Sequence, residues 1–196
     1  MKVVLLDIDG VLLLREKYFS EHYREEYHVP YEKIHPFFVD VMPYCLIGEK
    51  DLKEELQKGW LDDWGWDKGV DAFLTYWFKK ESKQNTELLE ALDKLPNKKY
   101  LATDNEKYKC TYIWEGLGFK NHFIHLFASS NIFIRKSNPE FYQKVAKKIG
   151  VPTNELIFFD DDMVNVTAAG QAGVEAYFYT TNEDLLNKIA GKPNSR

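Results

Sequence analysis

Two unbroken apolar runs, each stopping abruptly at carboxylates, constrain this chain more than any other feature. Val3-Val-Leu-Leu6 runs into Asp7 and Asp9, with Gly10 next, and Leu156-Ile-Phe-Phe159 runs into Asp160-Asp-Asp162. A short run that is apolar at every position reads as a strand covered on both faces, the habit of parallel sheets. When such a strand ends in acids, it puts charge at the carboxyl edge, where open α/β sheets hold their ligands. Two carboxylates spaced one residue apart repel each other. They are relieved by a nearby cation, or when one of them keeps a proton. Asp7 and Asp9 therefore point to a metal-assisted site with one acid and one base.

The chain from about residue 83 onward supplies the rest of such a sheet. Leu88, Leu89 and Leu92 mark a helix ending near Pro96, and Tyr100-Leu-Ala102 is a strand that meets Thr103. A helix to about Gly116 or Gly118 and a strand over Phe123 to Phe127 follow. Asn138 and Pro139 read as the N-cap and first residue of a helix with its stripe at Tyr142, Val145, Ala146 and Ile149, ended by Gly150. Ala168, Ala169, Gly170, Ala172 and Gly173 let the next helix pack closely; Val174 to Phe178 is a fifth strand, and Leu185, Leu186 and Ile189 mark a last helix. Five strands alternating with helices predict an α/β fold with a doubly wound, parallel, five-stranded Rossmann-like core. Residues 15–82 differ. Val70, Phe73, Leu74, Trp77 and Phe78 form one helical stripe, Leu52, Leu56 and Trp60 a second, and Tyr23 and Tyr27 a third, with Pro30, Pro36 and Pro43 between them. This segment is expected to be a small all-helical insert, leaving residues 1–14 and 83–196 as the core.

Composition narrows the function classes. Acids outnumber bases 31 to 26 with no long basic run, so charge does not favour a nucleic-acid partner. Cys45 and Cys110 lie far apart, which suggests neither a disulfide framework nor a zinc knuckle. No stretch approaches the ~20 apolar residues of a membrane span, and no secretory leader is visible, so the cytoplasm is the expected compartment.

At the carboxyl edge, strand ends would bring together Asp7 and Asp9, Thr103, and Asp160 and Asp161, with Lys136 just before the Asn138 helix start. Carboxylates suit a hard cation such as Mg²⁺. A hydroxyl, a lysine and a helix N-terminus suit a phosphate. The motifs Asp7-Ile-Asp-Gly-Val11, Leu101-Ala-Thr103, Arg135-Lys-Ser-Asn-Pro-Glu-Phe-Tyr142, and Phe158-Phe-Asp-Asp161 with Asn165-Val166 resemble, in order, the four motifs of the haloacid dehalogenase (HAD) superfamily. The insert sits where subfamily I of that superfamily carries a helical cap, and the double acid of the fourth motif is similar to that of small sugar-phosphate phosphatases. The resemblance implies a Mg²⁺-dependent phosphatase acting on a small phosphorylated metabolite. In it Asp7 would be the nucleophile that becomes an aspartyl phosphate, and Asp9 the acid and base. Asp7 and Asp161 would bind the metal through side chains and Asp9 through its carbonyl. Thr103 and Lys136 would hold the phosphoryl oxygens, with Asp160 behind them orienting Lys136 or a metal-bound water. Asp9 favours ester hydrolysis over dehalogenation, because an alkoxide leaves with a proton and a halide does not.

Two positions depart from the family's pattern. Asp104 stands where an asparagine is usual, and Ser137 where a proline is. A carboxylate beside a phosphate is accommodated if Asp104 turns away toward the insert, or if Asn105 serves in its place. Competing readings are a phosphotransferase or mutase with the same apparatus, a receiver-like domain, and a pseudo-enzyme that only binds. Asp162 reads as an N-cap, and His122 and His125 as too isolated for a metal site. Trp60, Trp64, Trp66 and Trp77 read as core of the insert, or alternatively as a sugar-binding mouth.

Overall fold

The run Val3–Leu6 (β1) is buried at every position and lies at the centre of the sheet in the computed structural model, which describes residues 1–191. The last five positions of the expected core segment, 192–196, lie outside the described residues. Lys99–Thr103 (β2), Leu126–Ala128 (β3), Leu156–Asp160 (β4) and Glu175–Phe178 (β5) complete five parallel strands in the order β3-β2-β1-β4-β5. β2 and β3 therefore build out to one side of β1, and β4 and β5 to the other. That reversal opens a crevice at the carboxyl ends of β1 and its neighbours.

Both faces of β1 are covered, which is why its sequence shows no alternation. Val4 and Leu6 pack with Leu88, Leu89, Leu92, Ile113 and Phe119 on one face. Val3 and Leu5 pack with Tyr142, Val145, Ala146, Ala168 and Ala169 on the other. The Asn138 side chain accepts from the Glu140 amide to start helix Pro139–Ile149, and Gly150 ends it at φ 83°. Asp162 caps helix Met163–Gln171 by accepting from the Val164 amide at 2.9 Å, as its position suggests.

Three details correct the sequence reading. The strand expected over Phe123 to Phe127 begins only at Leu126, because a tight turn at Phe119–Asn121 carries Phe123 into the core before the chain straightens. The Leu52, Leu56, Trp60 stripe is not one helix: the chain breaks at Lys58 and Gly59, where Gly59 has φ 103°, a value that costs glycine least. The segments on either side of the insert also pair with each other, as Leu13–Leu14 runs antiparallel to Lys83–Gln84.

Between those segments, helices from Phe19–Tyr27 to Val70–Lys80 close around an aromatic cluster of their own that includes Phe19, Tyr23, Phe37, Trp64, Phe73 and Trp77. Trp64, Trp66 and Trp77 are buried there, each indole N–H satisfied, by the Lys33 carbonyl, the Gly69 carbonyl and Glu81 respectively. These three tryptophans therefore pack as core of the insert, and none of them lines the cavity at the carboxyl edge of the sheet. No helix among the described residues is long and apolar enough to cross a membrane.

Candidate active site

Strand register fixes where the acids fall. Leu6 pairs with Leu101 on one side and Phe159 on the other, and the Asp7 amide donates to the Phe159 carbonyl at 2.9 Å. Asp7, Thr103 and Asp160 thus emerge side by side at the carboxyl edge. All eight candidate residues from the sequence, Asp7, Asp9, Thr103, Asp104, Asn105, Lys136, Asp160 and Asp161, line one cavity of about 420 Å³.

Lys136 is the hub of its inner wall. Its Nζ donates to Asp7 Oδ1 at 2.5 Å and to Asp160 Oδ2 at 2.7 Å, with all three groups buried. Asp160 also accepts from the Asp162 amide and from Asn165 Nδ2, so its fully buried carboxylate is held from three directions. Burial pushes the Asp7 carboxyl well above the usual carboxylate range, opposed by Lys136 and reinforced by Asp160 and Asp9. Asp161 is raised as well, first by burial and then by Asp160.

Asp9 sits in the opposite situation. Burial works against its ionisation, yet the Lys109 ammonium, 2.9 Å from Oδ1, and the Asn105 amide, 2.5 Å from Oδ2, hold its carboxyl below the ordinary value. The two shifts therefore run opposite ways, Asp7 toward its protonated form and Asp9 toward its ionised form. Asn105 Nδ2 also reaches Thr103 Oγ1 at 2.7 Å, linking the hydroxyl to Asp9. Asp104 has both carboxylate oxygens engaged: one accepts from Arg135 Nε at 2.7 Å and the other from the Lys136 amide at 3.0 Å.

Asp7, Asp160 and Asp161 each offer a carboxylate oxygen, all within 4.8 Å of one another. An all-oxygen, all-anionic donor set fits a hard divalent cation, which would relieve their mutual repulsion. Gly10, at φ 96°, belongs to this arrangement. A Cβ there would lie 1.9 Å from Asp161 Oδ2, so only glycine lets the β1 loop and Asp161 approach this closely.

Sequence reasoning missed Lys109, Glu81, Arg15 and Arg135 as neighbours of the site. Arg135 opens the third motif and Arg15 opens the helical insert, so both lay beside legible features. Lys109 and Glu81 carried no signal in the sequence.

Clustered carboxylates, a buried lysine and a threonine at the carboxyl edge of a doubly wound α/β sheet are groups able to hold a cation and a phosphoryl group. The chain belongs to the haloacid dehalogenase-like hydrolases, whose family model matches residues 1–173, and it is thus an enzyme of that hydrolase family. It is 26% identical over 190 residues to a phosphorylated carbohydrates phosphatase of Thermotoga maritima, covering 91% of this chain and 84% of that protein. A HAD family enzyme of Bacteroides thetaiotaomicron superposes with a TM-score of 0.81 at 19% identity, over 96% of this chain and 98% of that one. Its complex with magnesium and inorganic phosphate superposes at 0.76 with 20% identity, over 92% and 94% of the two chains. A putative beta-phosphoglucomutase from Thermotoga maritima superposes at 0.62 with 22% identity, over 97% and 99%. At these identities the superpositions establish a shared fold.

Proposed function

We propose that this enzyme hydrolyses phosphate monoesters of small metabolites, phosphorylated sugars foremost, with Mg²⁺ and through an aspartyl phosphate on Asp7. The observation that carries the reading is the convergence in one cavity of two carboxylates with separate partners, Asp7 on Lys136 and Asp9 on Lys109 and Asn105, beside the Thr103 hydroxyl. Support for the substrate class comes from the phosphorylated carbohydrates phosphatase of Thermotoga maritima. Support for Mg²⁺ comes from the carboxylate cluster and from the magnesium and phosphate complex of the Bacteroides enzyme.

In this reading ionised Asp7 attacks phosphorus as the bond to the leaving oxygen breaks, and Asp9, having first taken up a proton against the pull of Lys109, gives that proton to the leaving oxygen. Water then attacks the aspartyl phosphate and returns the proton to Asp9, releasing inorganic phosphate. Thr103 Oγ1, Lys136 Nζ and the neighbourhood of Asn105 hold the phosphoryl oxygens, and Asp160 positions Lys136. The side chains of Asp7 and Asp161 and the carbonyl of Asp9 hold Mg²⁺, which when bound neutralises charge on the phosphoryl group. Residues 15–82 act as a cap over a core of 1–14 and 83–196, and the cap side of the cavity, where Arg15 and Tyr18 line it, selects the ester.

The test is release of inorganic phosphate from p-nitrophenyl phosphate and a panel of sugar phosphates, with Mg²⁺ and with chelator. Release that needs Mg²⁺ is expected. No release from any ester, or transfer to an added alcohol that outruns release, overturns the hydrolase reading.

A further inference from the structure

Lys109 is a buried lysine, and lysines are seldom buried unless paired. It lies on the short helix Lys107–Thr111, and its Nζ donates to Asp9 Oδ1 and to Glu81 Oε2, each at 2.9 Å. Glu81 is also buried and follows the last residue of helix Val70–Lys80. Its other oxygen accepts from the Phe19 amide at 2.9 Å, and Trp77 Nε1 donates to Oε2 at 3.0 Å. Phe19 opens the first helix of the helical layer and Glu81 closes the last. A single carboxylate thus ties together the points where the chain enters and leaves that layer, and passes the tie through Lys109 to Asp9.

From this geometry we infer that Lys109 is a positioning residue for Asp9, and that Glu81 makes that positioning depend on how the helical layer is seated. The inference rests on the assignment of Asp9 as acid and base. Lys109 and Asn105 grip opposite oxygens of Asp9, which fixes the plane of the carboxyl group. Each oxygen keeps a second lone-pair site, and Asp9 lines the cavity. When Asp7 takes the phosphoryl group and the ester bond breaks, the proton on Asp9 must already lie in line with the leaving oxygen. A carboxyl free to rotate is in line only part of the time. An ion pair present only for stability would have no reason to end on Asp9, since Glu81 alone could neutralise Lys109.

Lys109→Met and Lys109→Arg, each alone and in an Asp9→Asn background, decide the matter on glycerol phosphate and p-nitrophenyl phosphate with Mg²⁺. Lys109→Met is expected to lower kcat on the alkyl ester by about 100-fold, within the range of acid–base contributions, and on the nitrophenyl ester by less than about fivefold. KM should stay within about threefold, since no substrate contact is lost. Lys109→Arg should recover most of the loss. In the Asp9→Asn background Lys109→Met should add less than about twofold, because the two changes remove one function. Equal losses on the two esters, or full additivity with Asp9→Asn, overturn the inference. If Lys109→Met does not fold, Glu81→Gln replaces it and the same ratio of ester losses decides. A wild-type enzyme that splits neither ester, or an Asp9→Asn variant without leaving-group selectivity, removes the role of Asp9 and this inference with it. Expected behaviour of both proteins alongside equal losses in Lys109→Met overturns the inference alone.

Discussion

Asp7 is costly to bury, and Lys136 is what makes its burial tolerable. Replacing Asp7 by Asn keeps the shape and leaves Lys136 paired with Asp160 at 2.7 Å. The fold should survive, with an unchanged circular dichroism spectrum, while turnover drops by more than ~10³-fold because the attacking oxygen is gone. Normal turnover in this variant would remove Asp7 as nucleophile. Asp9→Asn should act differently: an alkyl phosphate slows by about 100-fold or more, while p-nitrophenyl phosphate, whose leaving group barely needs a proton, slows far less. Equal slowing would remove the acid role. Asp7, Asp9, Thr103 and Asp161 were readable because each sits where an apolar strand stops, so local pattern alone puts them at one edge. Lys136 was readable only through its motif. Lys109 and Glu81 were not readable, because 100 residues separate Lys109 from Asp9 and only the folded helical layer brings Glu81 to them.

Elements are held in place by a few polar caps, and two of these make measurable predictions. Asn85 caps helix Thr86–Asp93 by accepting from the Leu88 amide, and its Nδ2 donates to the Val11 carbonyl and to Asn182 Oδ1. It therefore joins the loop after β1, the return from the helical layer and the last helix. Asn85→Ala leaves several of these groups unpaired and should cost about 2–3 kcal/mol, measured by urea unfolding. A loss under about 0.5 kcal/mol would deny it that role. Glu106 caps helix Lys107–Thr111, and burial pushes its carboxyl up to about 7, against the pull of the Tyr108 and Lys109 amides. The folded chain then holds this proton more tightly than the unfolded chain, whose value is near 4.5. Its contribution is full below the unfolded value and is lost as pH rises through the folded one, up to about 3 kcal/mol in all. Glu106→Gln should flatten the fall in stability across that window, and an unchanged slope would refute the assignment. The alternation of strands and helices was legible because both faces of the sheet are buried. The late start of β3, the break at Gly59 and the pairing of Leu13–Leu14 with Lys83–Gln84 were not, since turns and tertiary contacts decide them.

Across the whole molecule, the sheet brings together carboxylates that the unfolded chain keeps far apart. Asp7 leaves β1, Asp160 and Asp161 leave β4, and their oxygens meet within 4.8 Å. Lys136 offsets part of the repulsion through Asp7 and Asp160, and no ion pair to Asp161 is formed among the described residues. A divalent cation binds this cluster only when the chain is folded, so it must raise folding stability by mass action. At a Mg²⁺ concentration about 100 times the dissociation constant the gain is ~2.7 kcal/mol. For a chain of this size that corresponds to a rise of about 5–10 °C in Tm. Matched ionic strength from NaCl should give much less, since screening acts mainly on exposed charges while two of the three acids, Asp7 and Asp160, are buried. Asp161→Asn removes one donor and part of the repulsion together, so it should raise Tm without metal and shrink the Mg²⁺ increment. Differential scanning calorimetry of the two proteins, with Mg²⁺, with NaCl and with chelator, separates these effects. An equal Mg²⁺ increment in both proteins, or none in the wild type, would mean that the cluster holds no cation and that its acids meet at the sheet edge for another reason.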